Sequence, residues 1–187
     1  MKQLFQILLI AAASILFACN NNKETKTESA TTENGNTNAG QANVKDDVSM
    51  KDIVKVAVGS SDHTTLVKAL QQAALVDVLA NPGPFTVFAP TNAAFDKLPK
   101  GTLDDLMKPE KKADLQNILQ YHVTTSALKA DFFKDDQTIG MVNGDNVTVS
   151  IKDGKIMLNN SAIIVASVQG SNGMVHIVDG VLLPPKK

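Results

Sequence analysis

Residues 83–95 read GPFTVFAPTNAAF and residues 171–184 read SNGMVHIVDGVLLP. In the first stretch, the apolar run 85–89 lies between two prolines, which predicts a short buried strand. Pro90 is expected to end that strand, and Thr91 can accept a hydrogen bond from the first turn of a helix that runs to residue 98. This stretch therefore predicts a strand followed at once by a helix.

The second stretch predicts a tight turn and then a strand. Asn172-Gly173 is a turn signal, and residues 174–178 are mostly apolar. Side chains alternate between the two faces of a strand, so the apolar character of both faces predicts a central strand. One face would carry Met174, His176 and Val178, and the other Val175 and Ile177.

Helical spacing dominates the chain before residue 123. The segment after Ser61-Asp62, which can cap a helix, repeats apolar residues at helical intervals. Thr102 and Asp105 have the spacing of a capping box. Two helices are predicted from stripes of side chains on one helix face. The first stripe consists of Leu66, Leu70, Ala73 and Ala74, and the second of Leu115, Ile118, Leu119 and His122.

Strand patterns dominate the rest. Residues 147–151 alternate apolar and polar side chains, Asp153-Gly154 is a hairpin signal, and residues 156–158 continue on the return strand. The run Ile163-Ile164-Val165 is typical of a buried strand. Helices first and strands later predict an α+β fold.

Composition narrows the classes of function. The chain has 187 residues and a net charge of −1, and all eighteen basic residues are lysine. A nucleic-acid binder normally has a basic excess and uses the arginine fork, so we expect no nucleic-acid partner.

The N-terminus predicts export and lipid attachment. Residues 4–16 are apolar apart from two polar side chains, which fits the length of a secretory signal and not of a membrane span. Leu16-Phe17-Ala18-Cys19 resembles a bacterial lipobox, and Cys19 is the single cysteine. We therefore interpret residues 1–18 as a lipoprotein signal peptide and Cys19 as the lipidation site. A plain secretory signal with an incidental cysteine is the alternative.

Residues 19–48 predict a lipidated cysteine followed by a disordered linker, because they contain almost no large apolar residue. The folded domain is then expected over residues 49–187. The predicted location is the cell envelope, either periplasmic or surface-exposed. The absence of Asp after Cys19 favours the outer membrane if the cell has two membranes.

The blocks 83–95 and 171–184, with Tyr121-His122 between them, resemble the signature blocks of the fasciclin domain in order and spacing. The resemblance implies a β-wedge or sandwich with a layer of short helices. It also implies adhesion through a protein or polysaccharide partner at the cell surface. The residues that carry it, expected to be mainly structural, are Thr86, Phe88, Ala89, Pro90, Thr91, Asn92, Phe95, Tyr121, His122, Asn172, Gly173, Val175, His176, Ile177, Asp179 and Leu182.

No constellation indicates catalysis, a metal or a cofactor. Spacings typical of zinc ligands, nucleophile elbows and phosphate-binding loops do not occur in the sequence. The predicted function is a non-catalytic, lipid-anchored adhesion module. A small-ligand receptor with an apolar pocket is the alternative. Ser167-Val168 stand where the family's animal adhesion members often carry an Asp-Ile pair, so receptor binding through that pair is not expected here.

Overall fold

The structure is a computed structural model that describes residues 50–185. The predicted signal peptide, Cys19 and the linker to residue 48 lie outside the described residues. None of the helices between residues 50 and 185 is long and apolar enough to span a bilayer.

The described part contains six short helices and seven strands, with β1 between α3 and α4 and the other strands after α6. The helices are α1 Ile53–Val58, α2 Thr64–Gln72, α3 Val76–Ala80, α4 Asn92–Asp96, α5 Thr102–Leu106 and α6 Lys112–Gln120. Single 3-10 turns lie at Ser61–His63, Pro109–Lys111 and Ala130–Phe132. The strands are β1 Phe85–Pro90, β2 Val123–Thr124, β3 Thr138–Gly140, β4 Asn146–Lys152, β5 Lys155–Leu158, β6 Ala162–Gly170 and β7 Gly173–Val178.

The seven strands form one sheet in the order β2-β1-β7-β6-β5-β4-β3. Strand β7 pairs parallel with β1 and antiparallel with β6. The prediction that residues 174–178 form a central strand is therefore confirmed, as is the α+β class. The register places Phe88 opposite His176 and Val87 opposite Val175, so the two signature blocks lie side by side.

Side chains of β1 and β7 point alternately to the two faces of the sheet, and each face packs into a separate hydrophobic core. Val87 and Val175 pack with the helices, in a cluster that includes Leu66, Leu70 and Leu119. Phe88 and Val178 pack in a second cluster that contains side chains of the strands β3 to β6. Both faces of β7 are thus covered, as a strand apolar on both faces requires.

Close backbone approach explains two glycines at the start of this strand pair. A Cβ atom on Gly173 would lie 2.0 Å from the carbonyl oxygen of Phe85, and one on Gly83 would lie 2.0 Å from the carbonyl oxygen of Asn172. The predicted Asn172-Gly173 turn was misplaced by one residue. Ser171 and Asn172 form the turn, and Gly173 already belongs to β7.

Two predicted helix starts were wrong. The residues after Ser60 form a 3-10 turn, and α2 begins at Thr64 without a cap from its own N-cap residue. Its first turn is instead capped by Asn92 of α4, whose Oδ1 accepts hydrogen bonds from the Thr65 amide at 3.0 Å and the Thr64 hydroxyl at 3.2 Å. A cap supplied across the fold leaves no local sequence signal.

The predicted capping box at Thr102 does not form either. Helix α5 starts at Thr102 itself, after Gly101 in the left-handed conformation with φ of 83°. By contrast, the predicted cap at Thr91 is confirmed, because its side chain accepts from the Ala94 amide. The helix after it ends at Asp96 and does not extend to residue 98.

Two further predictions need correction. Helix α6 ends at Gln120, so His122 follows the helix and is not one of its residues. Val165 is 57% exposed, because β6 presents most of its middle to solvent. The hairpin between β4 and β5 is confirmed: Asp153 and Gly154 have φ of 50° and 73°, as the predicted turn requires.

Candidate functional site

Thr86 and His176, one from each signature block, form hydrogen bonds with the loop of residues 126–128 that follows β2. The Thr86 hydroxyl donates to the Ser126 carbonyl at 2.5 Å and accepts from the Leu128 amide at 2.8 Å. The Nε2–H of His176 donates to the Leu128 carbonyl at 2.7 Å. Two buried side chains on adjacent strands therefore fix three backbone groups of residues 126–128.

His176 itself is held as a neutral imidazole. Burial lowers its pKa, although the Leu128 carbonyl opposes the effect. Because Nε2 carries the proton, Nδ1 accepts a hydrogen bond from the Ser167 hydroxyl at 2.7 Å. The ring stacks on Phe88 with a centroid distance of 5.6 Å and meets Phe133 edge-on at 5.1 Å. Both ring nitrogens are therefore hydrogen-bonded, and the ring contacts two phenylalanines.

Asn172 fastens the β6–β7 turn to the helical layer. Its Oδ1 accepts from the Ile53 amide at 2.9 Å, at the first residue of α1. Its Nδ2 donates to the carbonyls of Leu79 and Asn81, both at 2.8 Å. One amide side chain thus joins three segments that are distant in the sequence.

Tyr121 performs a similar role at the other end of the sheet. Its hydroxyl donates to the Asn146 carbonyl at 2.8 Å and accepts from the Asn159 side-chain amide at 2.9 Å. These two residues begin β4 and follow β5. The hydroxyl therefore ties the end of α6 to both strands.

His122, the neighbour of Tyr121, is bound to the backbone on both sides. Its Nδ1–H donates to the Ile118 carbonyl at 2.8 Å, and its Nε2 accepts from the Leu182 amide at 3.0 Å. Burial lowers the pKa of His122 to about 4, with a smaller opposing effect from Ile118. A proton on Nε2 would remove the acceptor that Leu182 needs.

This burial predicts a pH-dependent stability. Below pH 6.5, the ordinary value for histidine, the unfolded chain binds the proton while His122 in the folded chain binds it only near pH 4. From pH 7.5 to pH 5 the free energy of unfolding should therefore fall by about 2 kcal/mol. Urea melts of the full chain at both pH values measure it. His63 and His176, whose pKa values are also lowered, act in the same direction.

A His122→Phe chain provides the control. It should be less stable at pH 7.5, because the Leu182 amide and the Ile118 carbonyl lose their partner. Its stability should change less between the two pH values than that of the unsubstituted chain. An unchanged pH difference would rule out His122 as the source.

Asp179 accepts a hydrogen bond from the Ile163 amide through its side chain at 2.7 Å, and the Lys97 ammonium donates to the backbone carbonyl of Asp179 at 2.7 Å.

The apolar signature residues are buried or half-buried. They are Phe88, Ala89, Pro90, Phe95, Val175, Ile177 and Leu182. The signature residues do not converge on one cleft, and their polar groups serve the backbone around them.

His63 differs from the other two histidines. Its Nδ1 lies 2.8 Å from the Ser60 hydroxyl, but its buried Nε2 makes no hydrogen bond within residues 50–185. Burial lowers the pKa of His63, while Asp62 and the nearby Ala89 backbone raise it to a smaller extent. The ring borders an apolar cleft of about 210 Å³ that Val168 also lines.

A larger cleft, of about 430 Å³, opens beside the β6–β7 turn. The residues that line it include Pro82 and Pro84 before β1, Lys129 after the 126–128 loop, and Gln169 and Ser171 at the end of β6. Pro84 and Ser171 belong to the two signature blocks, whereas Lys129 and Gln169 lie outside both blocks. Sequence reasoning therefore missed Lys129 and Gln169.

Lys108, Lys111 and Lys112 lie close together in the sequence, with acidic residues between and beside them. Lys108 pairs with Asp105 at 2.9 Å and Lys111 with Asp114 at 3.0 Å, so this surface is of mixed charge and not a basic patch. Within residues 50–185 no group of three or more His, Cys, Asp or Glu side chains could hold a metal ion.

The fasciclin-domain family model matches residues 61–184. The chain belongs to the fasciclin family. It is 44% identical over 133 residues to protein sll1483 of Synechocystis sp., which covers 71% of this chain and 73% of that one. It is also 42% identical over 111 residues to the cell surface glycolipoprotein MPB83 of Mycobacterium bovis, covering 59% of this chain and 48% of that protein.

Solved structures agree on the fold. The structure resembles a FAS1 domain pair from the insect cell adhesion molecule fasciclin I with a TM-score of 0.59 at 16% identity, covering 71% of this chain and 51% of that one. The predicted fasciclin fold is therefore confirmed. At this level of identity the likeness concerns the fold alone.

Proposed function

We propose that this fasciclin chain is a non-catalytic adhesion module, tethered to the cell envelope by a lipid on Cys19, that binds a protein or polysaccharide partner. One observation carries the non-catalytic part. Five of the polar signature side chains, namely His176, His122, Asn172, Tyr121 and Thr86, form hydrogen bonds with the backbone and side chains around them. Side chains that are held by hydrogen bonds to their neighbours and do not converge on one cleft are poorly placed to exchange a proton with a substrate.

The tether follows from the N-terminal sequence. Residues 20–48, if flexible, would reach about 30 Å, which is enough to lift a domain of this size off the lipid surface. A single acyl chain holds a protein only weakly, so stable anchoring needs two or more. The mycobacterial relative, named a cell surface glycolipoprotein, supports the same kind of placement.

The test compares the full chain with a Cys19→Ser chain expressed in the same bacterium. Cells are grown with radiolabelled palmitate, fractionated, and shaved with protease while intact. The full chain should carry label, sediment with membranes and promote attachment of cells to a surface. Cys19→Ser should lose label and membrane association, because the thiol that forms the thioether is gone.

Two results would overturn this proposal. One is an unlabelled full chain in the soluble fraction, which would remove the anchor. The other is normal surface attachment by cells that lack the chain altogether, which would remove the adhesive role.

A further inference from the structure

The cleft of about 430 Å³ beside the β6–β7 turn has walls that the signature residues Thr86, His176 and Asn172 hold in place. Thr86 and His176 fix residues 126–128, directly before Lys129. Asn172 fixes the β6–β7 turn. Walls that are rigid before binding reduce the entropy lost when a ligand is held.

Lys129 determines the charge of this cleft. It is the single charged side chain among the described residues that line the cleft, and it is exposed. Its ammonium makes no ion pair and no side-chain hydrogen bond within residues 50–185, unlike Lys108 and Lys111. An unpaired lysine in a concave site favours a ligand that brings an anionic group.

The other lining side chains favour a ligand rich in hydroxyl groups. Gln169 supplies an amide with both donors and acceptors, Ser171 supplies a hydroxyl, and both residues are exposed. Pro82 and Pro84 contribute apolar ring surfaces without competing donors. The volume lies within the range of about 300–1,000 Å³ that is usual for small-ligand sites.

The cleft is poorly suited to a protein partner. Protein interfaces depend on aromatic or arginine anchors seated in pockets. The described lining residues include no aromatic side chain and no arginine, and Met174, the one large apolar side chain among them, is only 8% exposed. This surface offers apolar proline rings, one positive charge and a few hydrogen-bonding groups, without an anchoring pocket.

We propose that this cleft binds a uronic acid unit of an anionic polysaccharide, with the sugar carboxylate on the Lys129 ammonium and the sugar hydroxyls on Gln169 and Ser171. This inference rests on the proposed function, since it names the partner class and the place where the adhesion module would take it.

The test measures binding of a galacturonic acid tetrasaccharide to the full chain in detergent, by NMR titration. Lys129→Gln removes the charge and should weaken binding about tenfold, the usual cost of losing one hydrogen bond to a charged group. Lys134→Gln is the matched control, because it makes the same charge change at an exposed lysine five residues further on, outside the cleft. It should bind like the unsubstituted chain.

The methyl-esterified tetrasaccharide completes a double-mutant cycle. It should bind the unsubstituted chain about tenfold more weakly than the free acid, and Lys129→Gln should not distinguish the two sugars. No binding of the acid sugar, equal weakening by both lysine substitutions, or displacement of the sugar by a polyglutamate peptide of higher affinity would overturn the proposal.

Surface attachment separates this inference from the proposed function. Cells carrying Lys129→Gln should attach less well to a polygalacturonate-coated surface than cells carrying Lys134→Gln. If the two attach equally but cells lacking the chain do not attach, the cleft proposal fails and the adhesion module stands. If cells lacking the chain attach normally, the module fails as well.

Discussion

Replacing Gly173 by alanine should abolish stable folding or lower the free energy of unfolding by more than about 4 kcal/mol. The added methyl carbon would lie 2.0 Å from the Phe85 carbonyl oxygen, and the Phe85 carbonyl carbon and amide nitrogen would lie within 2.9 Å. All three are backbone atoms of the neighbouring parallel strand, so no side chain can move aside. Relief requires separating β1 from β7 at the middle of the sheet.

Gly140→Ala is the matched control, because Gly140 is also a strand glycine. The nearest atom to its added carbon is the Asn146 Oδ1 at 3.8 Å, an ordinary contact. The free energy of unfolding of the Gly140→Ala chain should stay within about 0.5 kcal/mol of the value for the unsubstituted chain. Urea melts followed by circular dichroism measure both variants. If the Gly173→Ala chain unfolds at the same urea concentration as the Gly140→Ala chain, the two strands tolerate a wider spacing and the prediction is wrong.

Asn172→Ala should lower the free energy of unfolding by about 3 kcal/mol. The substitution removes the acceptor of the Ile53 amide and the donor to the carbonyls of Leu79 and Asn81. The part-buried Ile53 amide and Leu79 carbonyl then lose these partners in the folded state, while the unfolded chain bonds them to water. The exposed Asn81 carbonyl can bond to water in both states. The loss in free energy of unfolding should exceed that for one hydrogen bond, because the substitution releases three segments from one another.

The comparison variant is Asn117→Ala. Asn117 is exposed in the middle of α6, and its side chain accepts one exposed hydrogen bond from Asn143. Alanine is the better helix former, so the variant should remain within about 0.5 kcal/mol of the unsubstituted chain. Equal losses for the two asparagine substitutions would mean that Asn172 is not a structural joint.

The sequence predicted those elements whose signals are local. The apolar run of β1, the Thr91 cap and the Asp153-Gly154 hairpin depend on neighbours within a few residues, and all three formed as expected. The predicted cap of α2 failed because its true partner, Asn92, arrives from another helix. Val165 was placed in the core because a short apolar run does not show which face a neighbouring layer covers.

The candidate cleft could not be predicted for a related reason. Its lining residues come from three stretches of chain that meet only once the sheet has formed, and Lys129 is one lysine among eighteen. The signature residues were easy to recognise, but what they do is set by geometry. The sequence offered no way to see that Thr86 and His176 reach the same loop.

The parallel pairing of β1 with β7 has a consequence for biosynthesis. The two strands are adjacent at the centre of the sheet, yet one begins at residue 85 and the other at residue 173. During translation β1 therefore lacks its partner strand β7, and part of its apolar surface stays exposed, until residues 173–178 have emerged from the ribosome. A ribosome that stalls before β7 is synthesised would release a chain whose sheet lacks the strand between β1 and β6. Such fragments are natural substrates for holdase chaperones and proteases.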